Sequence, residues 1–406
     1  MTSVNPELTY KHNLNLGRHG WLRLTPAYSV KVVERLLGNL PSVSYILDPF
    51  SGTGTTGLVA AERGLRCDLV DINPFLIWFA QAKTRNYAEQ DLQEAKLFVE
   101  NIHELGLHLS DDDALWMPPI HNISRWWGER ELNLIARIYR AISTHFSTTS
   151  NAKDLVLVAF CRLIIEASNA AFNHQSMSFK SAEIQQPLWV DFWDQELLNR
   201  FAFLTRQVLL SAQQHIPGHV SALKADSRKL SKLSQGQYDC VITSPPYPNR
   251  MSYIRELRPY MYWLGYLNKP YEAAELDWEA IGGTWGVATS RLKSWQPTDN
   301  AIHLSALDSI LSDIATRSPL LANYVHRYFI DTLTHLRSLM PILSPGATVH
   351  YIVGNSKFYD TLVPVERIYA SLLADVGFMD VNVEILRKRN SKKELFEYVI
   401  SGRKFV

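Results

Sequence analysis

The class of fold is indicated most clearly by SYILDPFSGTGTTGLVAAERGLRCDLVDIN, residues 44–73. Its first part, Ser44–Phe50, is predicted to be an apolar strand ending in Asp-Pro, and Thr55–Arg63 is predicted to be a helix that Gly64 stops. The residues after Gly64 are predicted to form a second apolar strand that ends at Asp71. A strand, a glycine turn, a helix and a second strand in this order predict an α/β fold with a parallel sheet and a right-handed crossover.

The turn before the helix contains three closely spaced glycines. Gly52, Gly54 and Gly57 fit the pattern G-x-G-x-x-G, which lets a ligand approach the backbone. Asp71 lies where a ribose-binding acid is expected. The pattern is shared by several nucleotide cofactors and also occurs in purely structural turns. Asp48, at the end of the first strand, favours a ligand with a cationic amino group over a pyrophosphate.

A second stretch, YDCVITSPPYPNRMSY at residues 238–253, begins with a strand pattern that stops at two consecutive prolines. Residues 238–243 are predicted to be a buried strand, because Val241 and Ile242 are β-branched. The two prolines that follow lack the N–H that a sheet needs, so the strand ends there. The prolines stiffen the backbone between the hydroxyl of Ser244 and the ring of Tyr247, at the end of a strand. This arrangement predicts a binding or catalytic role. A simple chain turn is the alternative.

Further strands are predicted at Val220–Ala225, at 347–355 and in a terminal β-hairpin within 381–404. Two long segments lie between the predicted strands, roughly 88–215 and 265–325. We predict that both are insertions on the α/β core and that the first is mainly helical.

The composition is that of a globular protein, with 406 residues, 46% hydrophobic residues and a net charge of +1. Cys67, Cys161 and Cys240 are far apart, which favours a reducing cytoplasm and argues against disulfides or structural zinc. The 13 histidines show no ligand spacing, so no metal is predicted. No apolar run approaches the roughly 20 residues of a membrane helix, and the amino terminus has no apolar signal segment. A cytoplasmic protein that does not contact a membrane is therefore expected.

The segments LDPFSGTGTT and TSPPY together resemble the S-adenosylmethionine-dependent DNA methyltransferases that modify exocyclic amino groups, N4 of cytosine or N6 of adenine. The resemblance covers 20–80, 219–266 and 345–402. It implies a Rossmann-like class I methyltransferase sheet with a C-terminal antiparallel hairpin and large, mainly helical insertions.

The resemblance also implies a division of the chain. Residues 1–87 would form the cofactor-binding part of the core and 216–266 its catalytic part, with 326–406 completing the core and its hairpin. The helical insertion 88–215 is a candidate DNA-recognition region, and the second insertion, 267–325, is a candidate DNA contact.

In this family the first motif holds the methionine part of the cofactor and the acid after the second strand holds its ribose. An acid after the third strand lies near the adenine, for which Asp226 is the matching candidate, and the helix-opening segment at Thr25–Leu37 also contacts the cofactor. The cofactor-binding residues that the resemblance implies are Pro26, Tyr28, Asp48, Pro49, Phe50, Ser51, Gly52, Gly54, Thr55, Thr56, Asp71, Ile72, Asn73, Asp226 and Ser227.

The catalytic residues that the resemblance implies are Ser244, Pro245, Pro246 and Tyr247. The lone pair of an exocyclic amine is delocalised into the ring, so acceptors placed around the NH2 group are needed to free it. Ser244 Oγ and the Pro245 carbonyl are the expected acceptors, and Tyr247 is expected to stack on a base that has left the duplex. Serine at position 244 resembles the serine form of the family, which implies N4 of cytosine as the target. Methylation at C5 is not expected, because no cysteine follows a proline as that chemistry requires.

The predicted function is site-specific DNA methylation in restriction–modification or a related defence. Double-stranded DNA is the expected partner, with a cognate restriction endonuclease or other defence-system subunits as further candidates. The alternatives are an N6-adenine enzyme, an RNA guanine-N2 or protein glutamine methyltransferase, and a non-catalytic DNA-binding subunit. The candidate DNA-binding residues are Asn169, Asn173, His174, Gln175, Lys180, Asn249, Arg250, Tyr253 and Arg255, whereas the charged run at 387–394 is expected to be a solvated hairpin tip that can touch phosphates.

Overall fold

A computed structural model describes most of the chain. The described residues are 6–24, 27–40, 43–102, 115–171, 178–179, 192–233, 237–249, 252–283, 287–297, 305–389 and 394–405. Pro26, Asn173, His174, Gln175, Lys180 and Arg250 lie outside the described residues, as does most of the turn of the terminal hairpin, 390–393.

Seven strands form one central sheet. They are β1 (Tyr45–Asp48), β2 (Arg66–Asp71), β3 (His219–Lys224), β4 (Tyr238–Thr243), β5 (Leu343–Gly354), β6 (Phe378–Lys388) and β7 (Phe396–Lys404). Their order across the sheet is β6-β7-β5-β4-β1-β2-β3, and β7 runs antiparallel to both of its neighbours while the other pairs are parallel. The predicted α/β fold, with a mainly parallel sheet and an antiparallel terminal hairpin, is confirmed.

Helices cover both faces of the sheet and make up most of the two long intervening segments. Those of eight residues or more in the described part of the chain are α1 (Val30–Gly38), α2 (Thr55–Glu62), α3 (Pro74–Thr84), α4 (Glu89–Glu100), α5 (Glu129–His145), α6 (Asn151–Glu166), α7 (Phe192–Ala212), α8 (Tyr253–Trp263), α9 (Pro270–Glu279), α10 (Val287–Ser294), α11 (Ser305–Ala315), α12 (Pro319–Leu339) and α13 (Val365–Asp375). Two short ribbons pair Ala170–Ala171 with Ser178–Phe179 and Ser356–Phe358 with Thr361–Val363. None of the described helices is long and apolar enough to cross a membrane.

Prolines account for two of the differences in strand bounds. The first strand ends at Asp48, two residues earlier than predicted, because Pro49 has no N–H to donate. Strand β5 begins at Leu343 instead of 347 and passes through Pro345. Its register against β4 shifts at that point, and such an irregularity is where a sheet tolerates proline.

Successive residues of the central strands point to opposite faces of the sheet and enter different cores. Ile46 packs with α1 and α2, whereas Leu47 packs with α12 and α13. A third core joins α4–α7 to α3 and α8, and Phe79, Phe98, Phe160, Phe201 and Trp263 are all fully buried in it.

The helical segment 88–215 therefore shares its core with two helices of the α/β unit. At the end of the second insertion, the boundary expected between 325 and 326 falls inside α12, because the apolar side chains Val325, Phe329 and Leu336 follow the helical repeat without a break. The remaining predicted boundaries fall between elements.

Arg18 connects the ends of two helices, α3 and α7. The side chain is buried, and its guanidinium donates to carbonyls at the end of α3 (Lys83 and Arg85) and at the end of α7 (Ser211, Ala212 and Gln214). Carbonyls at the end of a helix have no partner within the helix, so a five-donor cation satisfies several of them at once.

Replacing Arg18 with lysine should lower the free energy of unfolding by about 1–2 kcal/mol, because one ammonium group cannot reach both helix ends. Chemical denaturation measures this difference. Arg35→Lys is the matched control, since Arg35 forms an exposed ion pair with Glu384 and should change stability by less than about 0.5 kcal/mol. Equal stabilities for the two variants would contradict the role given to Arg18.

Candidate active site

A cavity opens at the carboxyl ends of the parallel strands, the edge at which open α/β sheets bind ligands. Its wall includes segments from four neighbouring strand ends: Pro49–Thr53 after β1, Asp71–Asn73 at β2, Ala225–Ser227 after β3 and Ser244–Tyr247 after β4. The glycine turn and the Ser-Pro-Pro-Tyr motif, which are far apart in sequence, therefore face one space.

The glycine turn depends on two residues with positive φ. Gly52 has φ of 48° and Gly54 has φ of 71°, values that L side chains rarely adopt. A Cβ at Gly54 would also lie 3.1 Å from the Cβ of Ala80, so the turn needs glycine to pack against α3. Ser51 Oγ is buried on the cavity wall, and the described residues give it no hydrogen-bond partner.

Asp71 is held by backbone groups on either side of it. Its Oδ2 accepts from the N–H of Gly52 at 3.0 Å, and its Oδ1 accepts from the N–H of Asn73 at 2.9 Å. A carboxylate has about four lone-pair sites, so one on each oxygen remains for a ligand. Burial raises the pKa of Asp71 to about 6, although the backbone hydrogen bonds around it favour the ionised form.

Four residues predicted to bind a cofactor lie behind the cavity wall instead of on it: Asp48, Gly54, Thr55 and Thr56. Asp48 is fully buried, and its Oδ1 accepts from Thr243 Oγ1 at 2.6 Å and from the N–H of Phe50 at 3.2 Å. Burial raises its pKa to about 6. The geometry does not match the prediction that Asp48 faces a cationic amino group. Through its hydrogen bond with Thr243, the residue before Ser244, Asp48 instead connects the end of β1 to the end of β4.

The other described residues of that prediction line the cavity: Tyr28, Pro49, Phe50, Ser51, Gly52, Asp71, Ile72, Asn73, Asp226 and Ser227. The Asp226 carboxylate accepts from Nε and Nη2 of Arg228, which also donates to Asp331. Burial by itself would raise the pKa of Asp226, but the hydrogen bonds from Arg228 outweigh it and the pKa is lowered. Asp226 therefore presents an ionised carboxylate to the cavity.

A buried histidine fixes the backbone beside Asp226. His335 Nδ1 lies 2.9 Å from the carbonyl of Ser227, and His335 Nε2 lies 2.7 Å from the hydroxyl of Tyr351. Burial lowers the pKa of His335 to about 4, so the ring is neutral at pH 7. A carbonyl can only accept, so the proton is on Nδ1 and Tyr351 donates to Nε2.

All four residues predicted to be catalytic lie on the wall. The hydroxyl of Ser244 donates to the carbonyl of Ile352 at 3.1 Å, because that carbonyl has no proton to give. The Ser244 oxygen is thereby oriented as an acceptor. The carbonyl of Pro246 already accepts from the hydroxyl of Tyr328 at 2.8 Å, which fixes the second proline.

Tyr247 packs closely against the end of β5. A Cβ at Gly354 would lie 3.0 Å from two carbons of the Tyr247 ring, so only glycine lets the ring approach the strand. The Tyr247 hydroxyl lies 3.4 Å from Ser244 Oγ, and the Arg389 guanidinium lies 5.2 Å from the ring centroid. Ser244, Tyr247 and Arg389 thus form one continuous part of the wall.

The structure brings only some of the predicted DNA-binding residues to the cavity. Asn249 and Tyr253 line it, Arg255 is exposed on α8 outside the wall, and Asn169 is exposed just beyond the end of α6. DNA binding by these residues stays a prediction.

Sequence reasoning missed several parts of the wall, two of which carry charged side chains. One is the carboxyl end of α9 with the loop that follows it, where Asp277 and Glu279–Gly283 line the cavity. The other is the hairpin, where Arg387 and Arg389 face the cavity with Glu397 although a solvated tip was expected. Their two-residue spacing on a strand is the signal that places both arginines on one face. In the part of the chain that the structure describes, no cluster of three or more His, Cys, Asp or Glu side chains could hold a metal ion.

Comparisons with known proteins point to methyltransferases. The family model for D12 class N6 adenine-specific DNA methyltransferases matches residues 30–106. The Type II methyltransferase M.BsoBI of Geobacillus stearothermophilus is 24% identical over 438 residues, with 96% of this chain and 85% of the relative covered. The Type II methyltransferase M.AvaI of Nostoc sp. is 21% identical over 419 residues, with the same coverage.

Among solved structures, the rRNA methyltransferase aviRa from Streptomyces viridochromogenes aligns with 93% of this chain and 86% of its own. The identity is 14% and the TM-score is 0.28, which is too low to bear on fold or function. The sequence relatives and the family model support a relationship with DNA methyltransferases. With the α/β fold, they imply S-adenosylmethionine as the methyl donor.

Proposed function

We propose that this chain is a site-specific DNA methyltransferase that methylates N4 of a flipped-out cytosine within a restriction–modification system. The observation that carries the proposal is the orientation of Ser244, whose hydroxyl proton is bound by the Ile352 carbonyl on the same cavity wall as Asp71. Its oxygen is therefore an acceptor for an amino group beside a nucleotide-type site. The similarity to Type II methyltransferases supports the restriction–modification setting, in which a cognate restriction endonuclease is the expected partner.

The cavity wall fits S-adenosylmethionine, which supplies an electrophilic methyl group when bound. Asp71 has one lone pair left on each oxygen, which matches the two hydroxyls of a ribose. The unpartnered hydroxyl of Ser51 and the open backbone at Gly52 suit the polar methionine end. Asp226 accepts well from an adenine amino group, because Arg228 keeps it ionised.

The target amine would lie against Ser244 and Pro245. Hydrogen bonds from its two N–H groups to Ser244 Oγ and to the Pro245 carbonyl would draw the nitrogen toward tetrahedral geometry and release its lone pair. These acceptors are fixed before the base arrives, since Ser244 is bound to β5 and Pro246 to Tyr328, so little reorganisation remains for the reaction. Transfer of the methyl group leaves a positively charged nitrogen whose proton is acidic, so no strong general base is needed.

N6 of adenine is the second candidate for the acceptor atom. The family model that matches the chain is adenine-specific, but its match ends at residue 106 and does not include Ser244–Tyr247. We favour cytosine because the motif that contacts the base has serine in its first position, as in the serine form of the family that the sequence resembles.

Binding of S-adenosylmethionine should weaken by about tenfold between pH 7 and pH 5. Asp71 has a pKa of about 6, so its carboxylate is ionised and accepts from the ribose above that pH, and protonation removes acceptor sites below it. Calorimetric titration across this range measures the effect. The Asp71→Ala variant should bind weakly with no step near pH 6. If the step persists in that variant, it arises from another group, such as Asp48, and the assignment to Asp71 is wrong.

Long-read sequencing of DNA from cells that express the protein, together with mass spectrometry of the released nucleosides, tests the proposed function. The expected result is N4-methylcytosine in one sequence context, absent from cells that express the Ser244→Ala variant. N6-methyladenine in one context would support the second candidate instead. Unmodified DNA, from cells that contain folded protein able to bind S-adenosylmethionine, would contradict DNA methylation.

A further inference from the structure

Arg389 is the cationic group of the cavity wall that lies nearest to the catalytic motif. The proposed function gives Arg389 no role. Its side chain is only 11% exposed, and it lines the cavity beside Tyr247. Nη1 donates to the carbonyl of Asn355 at 2.9 Å, and Nε lies 4.0 Å from Glu397 Oε1. Among the described residues, no group accepts a hydrogen bond from Nη2.

The surroundings of Arg389 hold it in place without using all of its donors. Glu397 is engaged mainly by Arg387, whose Nε and Nη2 donate to its two oxygens at 2.6 and 2.8 Å. A Cβ at Gly354 would lie 2.5 Å from Nη1 of Arg389, so the guanidinium packs directly on the backbone that also supports Tyr247. A guanidinium that is held in place at a cavity wall with a donor unused is available to a ligand that accepts hydrogen bonds.

We propose that Arg389 donates a hydrogen bond to O2 of the flipped cytosine and thereby selects cytosine over adenine. This inference rests on the proposed function and names the feature of the base that the pocket recognises. Ser244 and Arg389 both contact Tyr247, Ser244 at the ring hydroxyl and Arg389 over the ring, so a base placed beside Tyr247 meets both.

The chemistry of the two bases explains the selection. The edge of cytosine carries the N4 amino group, the N3 acceptor and the O2 acceptor in that order. The same edge of adenine carries the N6 amino group, the N1 acceptor and a C2–H group, which accepts nothing. Arginine donates hydrogen bonds and cannot accept them. When the amino group of the base lies at Ser244, Arg389 therefore binds the acceptor at the far end of the cytosine edge. With adenine in the same position, Arg389 has no acceptor to bind.

The test combines substitutions of Arg389 with the replacement of one atom, O2, in the target cytosine. Duplexes are built on the site found by sequencing, with either cytosine or 2-thiocytosine at the target position, since sulfur is a much weaker acceptor than O2. The wild-type protein should lose roughly tenfold in kcat/KM on 2-thiocytosine. Arg389→Met should be roughly tenfold slower than wild type on cytosine and show no further loss on 2-thiocytosine, while Arg389→Lys should restore part of the rate and of the difference between the bases.

Arg403→Ala is the matched control, because Arg403 lies in the same hairpin in an exposed ion pair with Asp380. It should keep the wild-type rate and the wild-type penalty on 2-thiocytosine. Affinity for S-adenosylmethionine and thermal stability, measured for every variant, should stay close to wild type. If Arg389→Met shows the same penalty as wild type, or if wild type shows none, Arg389 does not contact O2. Failure of the proposed function is separate: wild-type protein would then put no methyl group on cytosine.

Discussion

Replacing Ser244 with alanine should lower the methylation rate by about a hundredfold to a thousandfold and leave the affinity for S-adenosylmethionine within about twofold of wild type. The loss is that of one preorganised group that stabilises charge developing at the reacting atom. Ser244 Oγ is fixed by its bond to the Ile352 carbonyl, and alanine leaves no acceptor at that point. Cofactor affinity is spared because the cofactor is assigned to the ends of β1–β3. Single-turnover incorporation of labelled methyl groups measures the rate, and calorimetry measures the affinity.

The control for this substitution is Ser294→Ala. Ser294 is exposed at the end of α10, and its hydroxyl bonds only within that helix, so its removal should change neither quantity. Tyr247→Phe adds a second comparison, since it removes the hydroxyl near Ser244 and keeps the ring on Gly354. It should be much less damaging than Tyr247→Ala. A Ser244→Ala variant that methylates at the wild-type rate would remove Ser244 from the mechanism.

The fold could be predicted because its determinants are local. Pro49 ends β1, positive φ requires glycine at positions 52 and 54, and alternating apolar residues mark the strands of the terminal hairpin. Each of these acts within a few residues, so the sequence displays it directly. The carboxyl ends of parallel strands share one edge of the sheet, so the fold also placed Asp71 and Ser244 in one cavity.

The rest of the site could not be predicted because it depends on contacts between distant segments. Residues 277–283, the end of α9 and the loop after it, reach the cavity through the packing of α9 against α12, and no local pattern in them differs from an ordinary surface segment. Arg389 lies in a run of charges, which usually marks a solvated tip. Its burial follows from Gly354 and Tyr247, which lie on other elements.

Asp48 is the converse case, a residue that was predicted to contact a ligand but is enclosed by other side chains. A carboxylate at a strand end is a reasonable ligand for a cation, and the sequence carries no sign that Tyr28 and Thr243 enclose it. The enclosed carboxylate still serves the site, because Thr243 is the residue before Ser244 and its hydroxyl is bound to Asp48 at 2.6 Å. The first motif thus positions the second through a buried hydrogen bond, and the two are coupled before any ligand is present.

Replacing Asp71 with alanine should weaken the binding of S-adenosylmethionine by about thirtyfold to a hundredfold, or about 2–3 kcal/mol. The variant leaves two ribose hydroxyls without acceptors, and it also releases the N–H groups of Gly52 and Asn73, which shape the wall beside the ribose. Asparagine is a poorer test, because its NH2 group would face one of those two N–H donors. Calorimetric titration at pH 7 measures the affinity, where the wild-type carboxylate is mostly ionised.

Asp239→Ala is the control that separates cofactor binding from folding. Asp239 also accepts from two consecutive backbone N–H groups, Ser44 and Tyr45, each at 2.9 Å, but it does so at the opposite edge of the sheet. Both substitutions remove a carboxylate that organises backbone, but only Asp71→Ala should lose cofactor affinity, and thermal denaturation of both variants checks that each is folded. If the two variants bind S-adenosylmethionine equally well, Asp71 organises the turn without contacting the ribose, and the cofactor assignment of the β2 end fails.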